Sequence, residues 1–155
     1  MKWNRIFFQY WLPVIIWMVV IFWMSTGTFS SEQTSRFIVP LLNFLFPLLA
    51  PQDVELIHGL IRKSGHVSEY FVLGLLSYRA FRANSSPIWR PRWAGFALFV
   101  VALFAASDEL HQSFVVSRTP SLVDVGIDVL GGIISQGLIM IRGKLAGYYA
   151  KVSPG

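Results

Sequence analysis

The chain alternates between long apolar blocks and short polar stretches. Four blocks approach the length of a membrane-spanning helix, which needs about 20 mostly apolar residues. They run from Ile6 to Met24, from about Gly65 to Phe81, from about Trp93 to Leu110 and from Leu122 to Ile141. The first block is broken only by Gln9 and Pro13, whereas each of the other three carries ionisable residues at one end or inside.

A fifth apolar block, from Phe37 to Ala50, is too short and too broken for a regular span. It contains Pro40 and Pro47, and proline interrupts the hydrogen bonding of a helix. The block predicts an interfacial or re-entrant stretch, and Gln52 to Leu60 predicts a short amphipathic turn before the second span. The expected fold is an all-α polytopic membrane helix bundle, a single domain over residues 1–155. It has four transmembrane helices and a short interfacial or re-entrant segment between the first two.

The composition supports the membrane interpretation. The chain has 155 residues, of which 54% are hydrophobic and 14% charged, whereas a soluble domain carries about 25% charged residues. The absence of cysteine excludes disulfides and thiolate metal sites. The pI of 9.9 does not predict a nucleic-acid partner, because the basic residues interrupt apolar blocks and form no tract of their own.

The basic residues predict the orientation of the bundle. With the N-terminus inside, all 8 acidic residues fall in the outer half, and the three inner segments carry basic residues only. Those basic residues are Lys2, Arg5, Arg79, Arg82, Arg90, Arg92, Arg142, Lys144 and Lys151. Cytoplasmic segments of membrane proteins have an excess of Lys and Arg. The distribution predicts a multi-pass protein of the cytoplasmic membrane with both termini in the cytoplasm and the lipid bilayer as a partner.

This topology places a group of polar residues at the outer ends of three helices. They are Lys63, His66, Glu69 and Tyr70 on the second span, Asp108, Glu109, His111 and Gln112 on the third, Arg118 in the following loop, and Ser121, Asp124 and Asp128 on the fourth. Residues three or four apart share a helix face. Asp128 lies about 9 Å into its span, and ionisable residues at such depth normally face the bundle interior. The pattern predicts a polar pocket that opens outward.

The fourth span is rich in small residues. It carries Gly126, Gly131, Gly132, Ser135 and Gly137. Gly131 and Ser135 are four apart and form a small-xxx-small pair, which lets another helix approach closely. We therefore expect a close helix contact at this pair.

Two motifs carry a resemblance to a known family. The first is KSGHVSEY over residues 63–70 with Gly74, and the second is DELHQSF over residues 108–114 with Arg118, Ser121, Asp124, Asp128 and Gly131. In order, spacing and four-span layout they resemble the VanZ-like membrane protein family over about residues 60–137. Family members often have Pro-Gly where this chain has Val116-Ser117, and many have Asn in place of Asp128.

The resemblance implies a protein of the bacterial cytoplasmic membrane that works in a cell-envelope context. The family is named for a protein associated with low-level resistance to teicoplanin, a glycopeptide antibiotic that acts on the cell wall. The resemblance implies a role that involves a cell-envelope component, with a link to glycopeptide resistance. It supplies no reaction, and the sequence does not identify a cofactor.

Two hypotheses follow for the polar residues. In the first, the pocket binds, modifies or moves an envelope component, such as a lipid-linked cell-wall precursor, and His66, Glu69 and Asp108 transfer protons as catalytic residues. The ligand-binding residues are then Lys63, Tyr70, Glu109, Gln112, Arg118, Ser121, Asp124 and Asp128. Imidazole and carboxylate groups also suit metal ions, but the spacing matches no recognised metal site, and no metal ligand is assigned. In the second hypothesis, the protein is non-catalytic, and the same cluster holds the helices together or docks a partner.

Overall fold

The computed structural model describes residues 2–27, 30–115 and 121–152. Within these residues the chain is helical and contains no strand, which confirms the all-α prediction. Helix α1 covers Lys2–Ile6 and continues through a π-helical turn, Phe7–Trp11, into α2, Leu12–Met24. Four further helices follow, which are α3 Ser31–Leu45, α4 Pro51–Arg82, α5 Pro91–Gln112 and α6 Leu122–Val152.

Among the described residues, three helical stretches are long and apolar enough to cross a membrane. They are Asn4–Met24, Pro91–Gln112 and Leu122–Tyr148, and they contain most or all of the first, third and fourth predicted spans. The 22 residues of Pro91–Gln112 extend about 33 Å, close to the ~30 Å hydrocarbon core of a bilayer. Large apolar side chains such as Phe99, Leu103 and Leu138 are exposed on the bundle surface, as lipid-facing residues are.

The second predicted span, Gly65 to Phe81, lies inside α4 and is not among these three stretches. The 32 residues of α4 begin at Pro51. Gln52 to Leu60, predicted as a short amphipathic turn leading into the second span, are the first turns of this continuous helix. Helix α4 packs against α2, α3, α5 and α6. Because neighbouring helices cover it, α4 buries small or polar residues such as Gly74 and Ser77 where a lipid-facing helix carries large apolar ones.

The block from Phe37 to Ala50 is part helix and part irregular chain. Helix α3 extends to Leu45 with Pro40 inside it, and residues 46–50 are not helical. Ser30 caps α3, because its Oγ accepts a hydrogen bond from the backbone N–H of Gln33 at 3.4 Å. The 15 residues of α3 are too few to cross a bilayer, and its interfacial or re-entrant placement stays a prediction.

Helices α4 and α6 approach each other closely at small residues. A Cβ atom on Gly131 would overlap the backbone oxygen of Val67, and a Cβ atom on Gly74 would overlap Oγ of Ser135. Gln136 adds a hydrogen bond from its Nε2 to the backbone oxygen of Gly74 at 3.1 Å. The small-xxx-small pair predicted on α6 is therefore confirmed as part of its contact surface with α4.

The two ends of the bundle carry different side chains, because α4, α5 and α6 alternate in direction. The polar end is defined by His66 on α4, Asp108 on α5 and Asp128 on α6. The cationic end is defined by Arg79 and Arg82 on α4 and Arg142 on α6. At the cationic end Tyr10 donates a hydrogen bond to Oδ1 of Asn84, and the Arg79 guanidinium lies over the Tyr10 ring, so the π-helical turn is joined to α4 and to the loop that follows it.

Candidate functional site

His66 and Asp128 meet at the polar end, next to the close contact of α4 with α6. Nδ1 of His66 lies 3.2 Å from Oδ1 of Asp128. The Asp128 side chain is fully buried, and the His66 side chain is 21% exposed. Oδ2 of Asp128 has no hydrogen-bond partner among the described residues. A carboxylate on one ring nitrogen orients an imidazole and selects its tautomer, so Asp128 positions His66.

Asp108 and Gln112 lie one turn apart on α5 and are both buried. Nε2 of Gln112 donates a hydrogen bond to Oδ2 of Asp108 at 3.0 Å. Oδ1 of Asp108 makes no hydrogen bond within the described part of the chain. A buried polar atom without a partner costs about 1–3 kcal/mol of desolvation, so this oxygen is a candidate contact for a ligand.

Glu109 and Ser121 make contacts that position helices. Oε2 of Glu109 accepts a hydrogen bond from the backbone N–H of Ser121 at 2.7 Å, which joins the end of α5 to the start of α6. Oγ of Ser121 accepts a hydrogen bond from the backbone N–H of Val123 at 3.1 Å, as a capping residue does. In these contacts Glu109 and Ser121 position the ends of α5 and α6, and the ligand-binding role of both residues stays a prediction.

Tyr70 lies on α4 between the acidic residues. Its side chain is fully buried, and its hydroxyl has no hydrogen-bond partner in residues 2–27, 30–115 and 121–152. The carboxylates of Asp108, Asp128, Glu69 and Glu109 lie within electrostatic range of this hydroxyl. The Tyr70 hydroxyl is therefore a buried hydrogen-bond donor near acidic side chains, and it makes no hydrogen bond to any described residue.

His66 lies between two cavities. The larger has a volume of about 250 Å³ and is lined by Met24, Ser25, Thr34, Ile38, Ile61, Arg62, Gly65, His66, Glu69 and Asp108. The smaller has a volume of about 90 Å³ and is lined by Gly59, Arg62, Lys63, His66, Asp124 and Ile127. The ionisable side chains of the larger cavity come from α4 and α5, and its large apolar side chains are Met24, Ile38 and Ile61, so its wall offers both kinds of surface to one ligand.

Arg62 is a site residue that the sequence interpretation missed. It lines both cavities, whereas Lys63 is exposed and lines only the smaller one. Arg62, His66 and Glu69 occur at positions i, i+4 and i+7, and this helical spacing is the signal that would have identified Arg62. Arg118 lies outside the described residues, and its role stays a prediction.

The geometry that is present suits proton transfer and hydrogen bonding. A histidine paired with a carboxylate is a common acid–base arrangement, and here Glu69 and Asp108 line the same cavity as the histidine. Arg62 adds a positive charge for an anionic group. Within the described residues, no three His, Asp or Glu side chains converge as the ligands of one metal ion would.

Sequence comparison relates this arrangement to a family. The sequence model of the VanZ/LLP1 family matches residues 10–143. The chain belongs to the VanZ/LLP1 family. The match includes both sequence motifs and reaches from the π-helical turn into α6, so it confirms the resemblance that the motifs carry. No curated protein and no solved structure matches the chain.

Proposed function

We propose that this VanZ/LLP1 family member is a multi-pass protein of the bacterial cytoplasmic membrane that binds a cell-envelope amphiphile at its polar end. The observation that carries the proposal is the cavity of about 250 Å³, which the ionisable residues His66, Glu69 and Asp108 line together with the apolar residues Met24, Ile38 and Ile61. An amphiphile has a polar head group and an apolar tail, and this cavity offers a surface for each. A lipid-linked cell-wall precursor is such a molecule and fits the cell-envelope context of the family.

Four spans, with α4 as the second, fit this proposal better than three. Residues 65–81 of α4 run from the polar end to the cationic end, alongside α2, α5 and α6. The lower hydropathy of these residues is compatible with a span, because neighbouring helices cover α4 and shield its polar side chains from lipid. With the basic residues on the cytoplasmic side, the polar end faces outward, and α3 lies at the outer surface as an interfacial or re-entrant segment.

In this site His66 is the proton-transfer residue, and Asp128 positions its ring through Nδ1. Glu69 and Asp108 line the same cavity and exchange protons or hydrogen bonds with the head group. Arg62 and Lys63 supply positive charge to anionic oxygens of a phosphate or carboxylate. The apolar side chains of α2 and α3 then contact the start of the tail.

A structural role is the second candidate function. It is favoured by the bond between Glu109 and Ser121, which joins the end of α5 to the start of α6, and by the bond between Gln112 and Asp108, which pairs two buried side chains within α5. Polar contacts between transmembrane helices are worth about 0.6 kcal/mol on average. In this case the polar cluster holds the bundle together or docks a partner, and no ligand enters the cavity.

The variants His66→Gln and Asp108→Asn distinguish the two functions. Each is expressed in a bacterial host, and the folded yield, the thermal unfolding in detergent and the teicoplanin susceptibility of the cells are measured. We expect near-normal yield and Tm with loss of the resistance phenotype. Ser107→Ala is the matched control, because Ser107 is exposed beside Asp108 and bonds only to its own helix. A loss of phenotype that follows the loss of folded protein would support the structural role.

The orientation has its own test. A reporter enzyme fused after Gly155 is expected to be active in the cytoplasm only, because the basic residues near the end of α6 lie on the cytoplasmic side. Activity outside the membrane would overturn both the orientation and the outward-facing pocket.

A further inference from the structure

We propose that the cationic end of the bundle is a binding site for a phosphate ester. The phosphate belongs either to the head group of an anionic phospholipid or to a soluble phosphorylated compound. A cavity of about 280 Å³ lies between α4, α6 and the loop before α5, and Arg79, Arg82 and Arg142 line it. This site lies at the opposite end of the bundle from the polar cluster and does not depend on the function proposed there.

The positive charge in this cavity is not balanced by acidic residues. The ion pairs within the described residues are Arg36 with Glu32 and His66 with Asp128, and neither lies here. The sequence has no Asp or Glu between Tyr70 and Ser107 and none after Asp128. The parts of α4 and α6 that line the cavity, and the loop before α5, therefore carry no acidic side chain. The three arginines therefore give this cavity an excess of positive charge, which favours an anionic ligand.

Two of the arginines are already held in place. The guanidinium carbon of Arg79 lies 5.3 Å from the centroid of the Tyr10 ring, within the range of a cation–π interaction. Nε of Arg82 donates a hydrogen bond to the backbone oxygen of Ser85 at 3.0 Å. The terminal nitrogens of Arg82 make no hydrogen bond to any described residue, and the planar fork of arginine matches the oxygens of a phosphate.

The other wall of the cavity is apolar. Leu75, Ile88 and Ile139 form it, and the hydroxyl of Tyr78 anchors the loop by donating a hydrogen bond to the backbone oxygen of Ile88 at 2.9 Å. The same hydroxyl accepts a hydrogen bond from the backbone N–H of Arg90 at 2.9 Å. Basic pockets between transmembrane helices on the cytoplasmic side bind acidic phospholipid head groups, and this cavity combines the two surfaces that such a lipid needs.

The test measures ligand binding to the full chain in detergent by native mass spectrometry and by thermal unfolding. The probes are phosphatidylglycerol, glycerol 3-phosphate and a diacylglycerol that has acyl chains but no phosphate. We expect phosphatidylglycerol or glycerol 3-phosphate to bind, and Arg142→Gln to weaken that binding at least about tenfold. Arg92→Gln is the matched control, because Arg92 is an exposed cation near the same end and does not line the cavity. This control should bind like the wild type.

The two phosphate probes identify the source of the ligand. Binding of phosphatidylglycerol alone assigns a lipid head group, and binding of glycerol 3-phosphate alone assigns a soluble phosphate ester, provided that either depends on Arg142. Three outcomes would overturn the proposal: neither phosphate probe binds, diacylglycerol binds as well as phosphatidylglycerol, or Arg92→Gln weakens binding as much as Arg142→Gln. Because Arg142 is exposed, its substitution should leave the Tm of the protein without ligand unchanged.

Discussion

At the polar end, ionisable side chains are buried between helices. Asp128 and Asp108 are 0% and 2% exposed, and each has a carboxylate oxygen without a hydrogen-bond partner in the described part of the chain. At the cationic end, Arg79 and Arg142 are exposed, and the contacts of Arg79 and Arg82 are to an aromatic ring and a backbone oxygen. The ionisable side chains are therefore buried in the packed interior at the polar end, whereas the arginines Arg79 and Arg142 lie at the surface at the cationic end.

The difference indicates how each end responds to change. At the polar end, the proposed binding residues are also part of the packing, because the helix contact that brings His66 to Asp128 also closes the core between α4 and α6. At the cationic end, the arginine side chains of the proposed phosphate site lie towards the helix ends beside a loop. Substitutions of the arginines at the cationic end should alter binding without altering stability. At the polar end, substitutions in the helix contact, such as Gly131→Ala, should alter stability as well.

The largest expected effect comes from Gly131→Ala. The new Cβ would overlap the backbone oxygen of Val67 and lie 3.0 Å from the backbone nitrogen of Phe71. A helix backbone cannot rotate away as a side chain does, so α6 has to move off α4. Overpacking of this kind costs about 1–3 kcal/mol. Thermal unfolding in detergent should show a clearly lower Tm.

Gly126→Ala on the same helix is the control for Gly131→Ala. A Cβ at Gly126 meets nothing within 4 Å, and alanine exceeds glycine in helix propensity by about 1 kcal/mol. The control should therefore be as stable as the wild type or slightly more stable. Equal Tm values for the two variants would contradict the close contact of α4 with α6.

A smaller effect is expected from Gly143→Ala at the cationic end. A Cβ there would lie 2.7 Å from Cβ of Trp89, which belongs to the loop between α4 and α5. A loop can shift more easily than a helix, and the gain in helix propensity of about 1 kcal/mol opposes the clash. The free energy of unfolding should therefore change by less than about 1 kcal/mol. A decrease in Tm as large as that of Gly131→Ala would show that the two ends are equally rigid.

The smallest expected effect is a pH response of the contact between α3 and α4. Oγ1 of Thr34 on α3 lies 3.1 Å from Nε2 of His58, which lies in the first turns of α4. Burial, and then the positive charge of Arg62, lower the pKa of His58 from its ordinary value of 6.5. The folded protein therefore favours the neutral ring. The stabilisation from this group is complete above about pH 6.5 and is lost as the pH falls through the lowered pKa. We expect α3 to loosen from α4 in mildly acidic solution.

Spin labels measure this response, because the chain has no native cysteine to compete for labelling. Cysteines introduced at the exposed positions Asn43 and Glu55 report the distance between α3 and α4 at pH 7.5 and pH 5.5, chosen about one unit on either side of the ordinary histidine pKa. The distance distribution should broaden at the lower pH. The same labels in His58→Gln should show no pH response, and an identical response in that variant would contradict the role of His58.

The spans were predictable where a helix faces lipid. Apolar length is a local property, so the first, third and fourth blocks identify helices that the structure contains. Helix α4 is different, because other helices cover it and its sequence does not need to be strongly apolar. The hydropathy of a segment does not show whether other helices of the bundle will surround it. For the same reason the continuity of α4 from Pro51 to Arg82 was not visible in its mixed composition.

The candidate site was predictable as a group of residues but not as a set of contacts. Helical spacing placed His66, Asp108 and Asp128 on helix faces that meet. It did not show that Asp128 bonds to His66 or that Arg62 lines both cavities. Those facts depend on the rotation and register of α4 against α6. The close backbone contact at Gly131, where no Cβ atom fits, sets that register.

By itself the sequence determined the membrane class, the separation of acidic from basic residues and the family motifs, because composition, charge order and spacing are properties of the chain. Only the tertiary structure decided that α4 is covered by its neighbours, that Asp128 positions His66, and that three arginines surround a cavity at the opposite end. The physical reason is that such pairings join residues far apart in sequence. Their distances follow from how closely the helix backbones pack, and the small residues of α4 and α6 control that packing.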